Sequence, residues 1–147
     1  MKVVQSYNTA ISRKGASAPL KFLYSKGMIE DDVLDYGCGK GADVKHLKEN
    51  GFKAKGFDPY WNPIDISEQT FKTILCTYVL NVIDKESEDN LLSSIQNHLK
   101  PNGTAFLTVR RDIKKEGQTS RGFQRNVFLN LPIVKQTSGY CIYKMSA

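Results

Sequence analysis

The sequence predicts an α/β fold, a doubly wound and mostly parallel sheet closed by a C-terminal antiparallel hairpin. Three observations lead there. Short apolar segments alternate with helix-like segments between residues 17 and 109, the pattern of a parallel sheet with crossover helices. A glycine-rich turn, Asp35-Tyr36-Gly37-Cys38-Gly39-Lys40-Gly41, joins the first strand to a helix. The last two strand-like segments, at 126–136 and 139–145, flank Ser138-Gly139 as the arms of a hairpin would.

Each element has its own signal. Ser17 suits a helix N-cap, Pro19 a first turn and Gly27 a C-terminus, with Leu20, Leu23, Tyr24 and Met28 at helical spacing between them. Asp32-Val33-Leu34-Asp35-Tyr36 reads as a buried strand running into the glycine turn. A helix is expected from Ala42 to Asn50, with Val44 and Leu47 inward and Gly51 stopping it. Residues 52–57 alternate apolar with polar, a second strand ending at Asp58-Pro59. Residues 59–70 are turn-like, and Phe71 to Tyr78 forms a third strand. The spacing of Leu91, Leu92, Ile95 and Leu99 predicts a helix over 87–99, with acidic residues near its start, where the macrodipole favours them. Pro101-Asn102-Gly103 reads as a turn, 104–109 as a strand and 110–125 as a loop.

At 147 residues the chain fits one domain, 1–147, with 1–15 as an N-terminal arm. A hydrophobic share of 40% and a charged share of 24% are those of an ordinary globular protein. The N-terminus lacks the apolar core of a secretory leader, and no stretch approaches the length of a membrane span. Cys38, Cys76 and Cys141 are odd in number and widely spaced, which argues against a disulfide framework and against a zinc site. A cytoplasmic setting without membrane or metal is expected. The net charge of +6 is uneven: residues 1–26 carry five cations and no acid, and residues 110–125 carry six cations against Asp112 and Glu116.

In a doubly wound sheet, ligands sit beyond the carboxyl ends of the strands, at the first strand-to-helix turn. Gly37, Gly39 and Gly41 let the chain turn tightly there and let a ligand approach the backbone. Asp58 ends the second strand, where a carboxylate accepts hydrogen bonds from ribose hydroxyls. Two ligands fit this pattern. Gly37-x-Gly39-x-x-Ala42 satisfies a loose dinucleotide fingerprint. The acid at Asp35 sits badly beside a pyrophosphate and well beside a cationic amino group, and the chain is short for a dinucleotide fold plus a substrate domain. Both points favour S-adenosylmethionine (SAM).

Val33-Leu34-Asp35-Tyr36-Gly37-Cys38-Gly39-Lys40-Gly41 resembles the first motif of class I SAM-dependent methyltransferases, whose fold is Rossmann-like. Asp58 matches the acid after that superfamily's second strand. Cys76-Thr77-Tyr78-Val79-Leu80-Asn81-Val82-Ile83 resembles the segment after its fourth strand, and Leu99-Lys100-Pro101-Asn102-Gly103 the turn before its fifth. A narrower likeness, to methyltransferases associated with DNA phosphorothioation systems, rests on Thr9-Ala10-Ile11-Ser12-Arg13, Gly56-Phe57-Asp58-Pro59-Tyr60, the 78–83 segment and Thr119-Ser120-Arg121-Gly122-Phe123-Gln124.

The resemblance implies roles. Asp35 orients the methionine ammonium, backbone at Tyr36, Gly37, Cys38, Gly39 and Gly41 lies along the cofactor, and Asp58 with Pro59 meets the ribose. Asp65 and Ile66 stand where the family meets the adenine, Tyr60 or Trp61 is placed to stack on it, and Thr77 lines the methionine. Compared with the family, the chain has no room between Asp58 and Phe71 for a strand-helix-strand excursion, and a helix is missing after the fifth strand. The sheet is therefore expected to be reduced by one or two helices.

The acceptor is less defined. Cys38, Cys141, His46 and His98 read as packing, surface or capping residues. Asp58-Pro59-Tyr60-Trp61 is similar to the signature of amino-directed DNA methyltransferases, but stands after the second strand instead of the fourth. Tyr78 and Asn81 are the candidate catalytic, acceptor-facing residues. The cations of 110–125, on a loop that leaves the sheet's carboxyl end, and those of 1–26 suggest DNA or RNA as partner. A small-molecule acceptor and a non-catalytic SAM-binding module are the alternatives.

Overall fold

The structure is a computed structural model that describes residues 15–147. The first fourteen residues, with the segment 9–13, Arg13 and Lys14, lie outside the described residues.

Six strands form one sheet in the order β2-β1-β3-β4-β8-β7. The first four, β2 (Ala54–Phe57), β1 (Val33–Tyr36), β3 (Phe71–Thr77) and β4 (Leu99–Arg110), run parallel. The last two, β8 (Tyr140–Ser146) and β7 (Ile133–Gln136), are antiparallel, as expected of the closing hairpin.

Helices cover both faces. Helices α1 (Ala18–Ser25) and α2 (Ala42–Glu49) pack Leu20, Leu23, Val44 and Leu47 against Val33, Leu75, Phe106 and Ile142. Helix α3 (Lys85–Asn97) packs Leu91 and Ile95 on the opposite face, against Leu34, Ile74, Ala105 and Leu107. Full burial of such a side chain contributes about 1.5–3 kcal/mol, so these two layers carry most of the fold.

The helix starts are chemically fixed. Ser17 caps α1, accepting from the Leu20 N–H, and donates its hydroxyl to Asp43 Oδ2 at 2.7 Å. Its own N–H donates to Asp43 Oδ1, also at 2.7 Å. Asp43 lies in the first turn of α2, so one buried carboxylate ties the beginnings of both helices together.

Three expectations are corrected. Helix α3 starts at Lys85, because Asp84 accepts from the Ser87 N–H and acts as its N-cap. Strand β4 reaches back to Leu99 through Pro101-Asn102-Gly103, with a register shift against β3 between Phe71 and Thr73. Residues 110–125 are not a plain loop: they hold a second, two-stranded sheet, β5 (Gly117–Thr119) paired with β6 (Gly122–Gln124), while 126–132 is irregular. Thr119 locks that hairpin by donating its hydroxyl to the Gly122 carbonyl at 2.6 Å.

Only residues 58–70 connect β2 to β3, so the sheet ends at β2, as the short spacing predicts. Asn62 closes part of that edge, donating its side-chain amide to the Gly56 carbonyl and exchanging backbone bonds with Asp58.

Candidate functional site

The glycine turn lies at the carboxyl end of β1. Gly37 has φ 87°, Gly39 55° and Gly41 87°, conformations that side chains with a Cβ rarely adopt. Gly37 and Cys38 both donate backbone N–H groups to the Phe57 carbonyl, at 2.7 and 2.9 Å, which seals the turn to the end of β2. A Cβ on Gly37 would collide with the Val79 side chain. The turn therefore depends on glycine twice, for its dihedral and for the approach of Val79.

Asp58 is placed beside this turn, as predicted. Its Oδ2 accepts from the Gly39 N–H at 3.0 Å, and its Oδ1 accepts from Tyr60 and Trp61 N–H, each at 2.9 Å. One carboxylate thus orders both the glycine turn and the segment that follows β2. Two oxygens offer roughly four acceptor sites, so capacity for a further donor remains. Pro59 is half-buried next to it.

Asp35 is 4% exposed at the carboxyl end of β1. Tyr36 contributes only its backbone to the turn: its ring packs on Phe57, and its hydroxyl pairs with Ser94 Oγ at 3.0 Å on the α3 face. Cys38 is half-buried, and desolvation, reinforced by Asp35 and Asp58, pushes its thiol up to about 12. Burial raises Cys76 further, with Asp35 adding to the shift. Both remain thiols at neutral pH, consistent with packing roles.

Asp65 and Ile66 face different surroundings. Asp65 is exposed and caps the Ser67 N–H at 3.0 Å, which lowers its pKa. Ile66 is buried in the core on the α3 face. Tyr60 and Trp61 are exposed and meet edge to face, with Lys40 Nζ 5.0 Å from the Trp61 ring centroid. Trp61 lines a cavity of about 660 Å³ with Cys38, Val44 and Lys48, on the α2 side of the shortened edge.

Beyond the glycine turn, Thr77 pairs with Thr108 in adjacent strands. The Thr108 hydroxyl is buried and has no hydrogen-bond partner among the described residues. Tyr78 follows with φ 63°, a left-handed conformation that is uncommon for an aromatic residue and is found preferentially at functional sites. It lines a cavity of about 540 Å³ beneath the β5–β6 hairpin. Phe123, Tyr140, Arg110, Arg121 and Thr119 share that lining. Of these, the sequence marked only Arg110 and Arg121, as two of the cations of 110–125, and a loop reading of that stretch gave no register to bring them together with Tyr78 and Tyr140.

Asn81 sits behind the cavity. It is 1% exposed. Its carbonyl oxygen accepts from the Arg110 N–H at 2.8 Å and its amide donates to the Arg125 carbonyl at 3.0 Å. Arg125 donates in turn to the Ile83 carbonyl and to Glu88 Oε1, at 2.6 and 2.7 Å. Glu88 is buried on α3, on the same face as Leu91 and Ile95. An acid at that apolar position was the legible sign of a buried partner, and that partner is Arg125.

This network changes the charge picture. Of the six cations in 110–125, Arg125 is paired with Glu88. Arg110 forks onto Asp112 at 2.8 and 3.0 Å, holding that carboxyl below its usual range. Arg111 donates to the Val127 carbonyl and the Tyr143 hydroxyl and covers the Phe128 ring. Lys114, Lys115 and Arg121 are exposed, with no side-chain partner among the described residues.

His98 caps the C-terminus of α3, its Nδ1 2.8 Å from the Gln69 carbonyl, and His46 lies next to Tyr24 and Asn50. Among the described residues no cluster of His, Cys, Asp and Glu has the geometry to hold a metal, and no helix is long and apolar enough to cross a membrane.

Known structures share this fold. A 1,6-didemethyltoxoflavin-N1-methyltransferase from Burkholderia thailandensis, solved with bound 1,6-didemethyltoxoflavin and S-adenosylhomocysteine, aligns over 88% of this chain and 76% of its own, with a TM-score of 0.65 and 16% identity. A structure reported for the conversion of a disulfide bond into a thioacetal group during echinomycin biosynthesis aligns over 67% and 51%, with a TM-score of 0.60 and 18% identity. A SAM-dependent methyltransferase from Archaeoglobus fulgidus aligns over 64% and 52%, at 0.51 and 19%. The chain spans about half the length of the latter two proteins. No curated protein matches its sequence. Residues 9–134 match the model of the methyltransferase domain, and the chain belongs to that family.

Proposed function

We propose that the chain binds SAM at the glycine turn and transfers its methyl group to an acceptor seated beneath the β5–β6 hairpin. One relationship carries this reading. The segment Thr77-Tyr78-Val79 touches the glycine turn through Val79 and the 540 Å³ cavity through Tyr78, so donor and acceptor sites would be neighbours.

The residues present fit the cofactor. A Cβ position at Gly41 meets nothing within 4 Å, which leaves open space beside the turn, and the buried Thr108 hydroxyl at the carboxyl end of β4 has no hydrogen-bond partner among the described residues. Asp35, with backbone at Gly37, Cys38 and Thr77, would hold the methionine part. Asp58 and Pro59, with Gly39 and Gly41, would hold the ribose. Asp65 and Ile66 would bound the adenine by their backbone. Bound there, SAM would supply an electrophilic methyl group on a sulfonium for an acceptor lone pair. For such a donor, positioning and exclusion of water supply much of the rate. Tyr78 would face the acceptor, while Asn81, spent on backbone groups, would act as a positioning residue.

A small-molecule acceptor is the reading that the cavity supports. The nucleic-acid reading keeps Lys114, Lys115 and Arg121 as its exposed cations on the hairpin side. Incubation with methyl-labelled SAM and separate pools of DNA, RNA and small metabolites tests both. Label in the metabolite pool is expected. Label confined to DNA or RNA would replace the small-molecule reading, and label in no pool alongside tight SAM binding would leave a non-catalytic binding module.

A further inference from the structure

The acceptor cavity has a chemical character of its own. Tyr78, Phe123 and Tyr140 line it from three separate elements: the end of β3, strand β6 and strand β8. Rings brought together from such distant points of the chain favour a flat, apolar guest, through area burial and offset or edge contacts.

Its charges are not balanced. Arg110 and Asp112 both line the cavity, but they neutralise each other in a two-pronged pair. Arg121 also lines it, at the tip of the β5–β6 hairpin, and its guanidinium has no partner among the described residues. Thr119, Ser120 and Gln124 add polar groups along the same wall. The hairpin tip is held in place: the Thr119 hydroxyl bonds to the Gly122 carbonyl and accepts from the Arg121 N–H, at 2.6 and 3.3 Å. Arg121 is thus a surplus cation on an ordered support, at the rim of an aromatic cavity. A guanidinium in that position recognises carboxylate or phosphate oxygens through paired hydrogen bonds.

From this we infer that the acceptor is a small aromatic or heteroaromatic molecule bearing an anionic group, with its ring among Tyr78, Phe123 and Tyr140 and its anion on Arg121. The inference rests on the methyltransferase reading only for the role of the bound molecule. The cavity's preference for such a guest is a binding property that can be measured without turnover.

The test uses protein saturated with S-adenosylhomocysteine and titrates matched ring pairs by calorimetry: 2-naphthoate against 2-naphthamide, and 1-naphthyl phosphate against 1-naphthol. Each anionic member is expected to bind at least tenfold more tightly than its neutral partner. Arg121→Ala should erase that preference and Arg121→Lys should restore part of it, with S-adenosylhomocysteine affinity unchanged in both. Equal binding of the members of each pair, no binding of either anion, or a preference that survives Arg121→Ala would each overturn the inference. Absence of S-adenosylhomocysteine binding to the parent protein would instead remove the methyltransferase reading. The ring titrations repeated without the ligand still decide the anion preference on its own.

Discussion

The Val79 side chain packs against Gly37 so closely that a Cβ on Gly37 would collide with it. The contact joins the turn after β1 to the segment after β3, and so joins the two halves of the proposed site. Gly37→Ala should therefore fail in two ways, through a left-handed φ of 87° and through collision. The dihedral alone costs about 1–2 kcal/mol. A thermal melt should show a drop of that order or more, and Val79→Ala in the same background should recover only the steric part.

Asp58 links the glycine turn to the segment after β2 by three N–H bonds. Asp58→Ala removes all three and, in the proposed site, the ribose acceptor. Hydrogen bonds to a charged group contribute about 1.5–3 kcal/mol each, less for exposed ones. S-adenosylhomocysteine affinity should fall by at least tenfold in a titration at pH 7. An unchanged affinity would show that the carboxylate serves only the turn.

The buried Glu88–Arg125 pair holds the end of the β5–β6 segment to α3 and the turn at 80–82. Glu88→Gln strands the Arg125 charge, which typically costs about 3–5 kcal/mol, whereas Arg125→Met leaves Glu88 only the exposed Lys85, 2.7 Å from its other oxygen. Glu88→Gln and Arg125→Met should each lower the denaturation midpoint strongly. The double variant should be less harmful than the sum of the two, because no charge is left behind. Additive losses in urea unfolding would show that the two side chains do not depend on each other.

Cys38 gives a pH signature. Its thiol holds its proton to about 12 in the fold, whereas a free thiol loses it near 9.0. Iodoacetamide at pH 8 should modify the folded protein at Cys38 far more slowly than the urea-unfolded chain. The sign for stability follows: the folded state binds this proton more tightly, so its contribution is full below pH 9 and is lost as pH rises toward 12. Cys76, shifted in the same direction, adds to that loss. Fast labelling of folded Cys38 at pH 8 would contradict the assignment.

Much of this fold was legible because its signals are local. Ser17, Gly27, Gly41 and Gly51 bracket the first two helices as their sequence positions suggest. The turn from Asp35 to Gly41 and the acid at Asp58 came together because both end parallel neighbours, β1 and β2. The region after β4 was not legible. Its hairpin has three-residue strands without apolar alternation, and two of its six cations are held by long-range partners, Arg125 by Glu88 and Arg111 by Val127 and Tyr143. Sequence counting treats all six as surface charge. Asn81 shows the same limit, since its bonds reach residues 110 and 125, far along the chain.

Calorimetry with S-adenosylhomocysteine is the direct test of SAM binding at the glycine turn. It should show one site per chain, loss of binding in Gly37→Ala protein that retains its circular dichroism, and no comparable binding of NAD. Tight NAD binding, or S-adenosylhomocysteine binding that survives Gly37→Ala unchanged, would contradict SAM binding there.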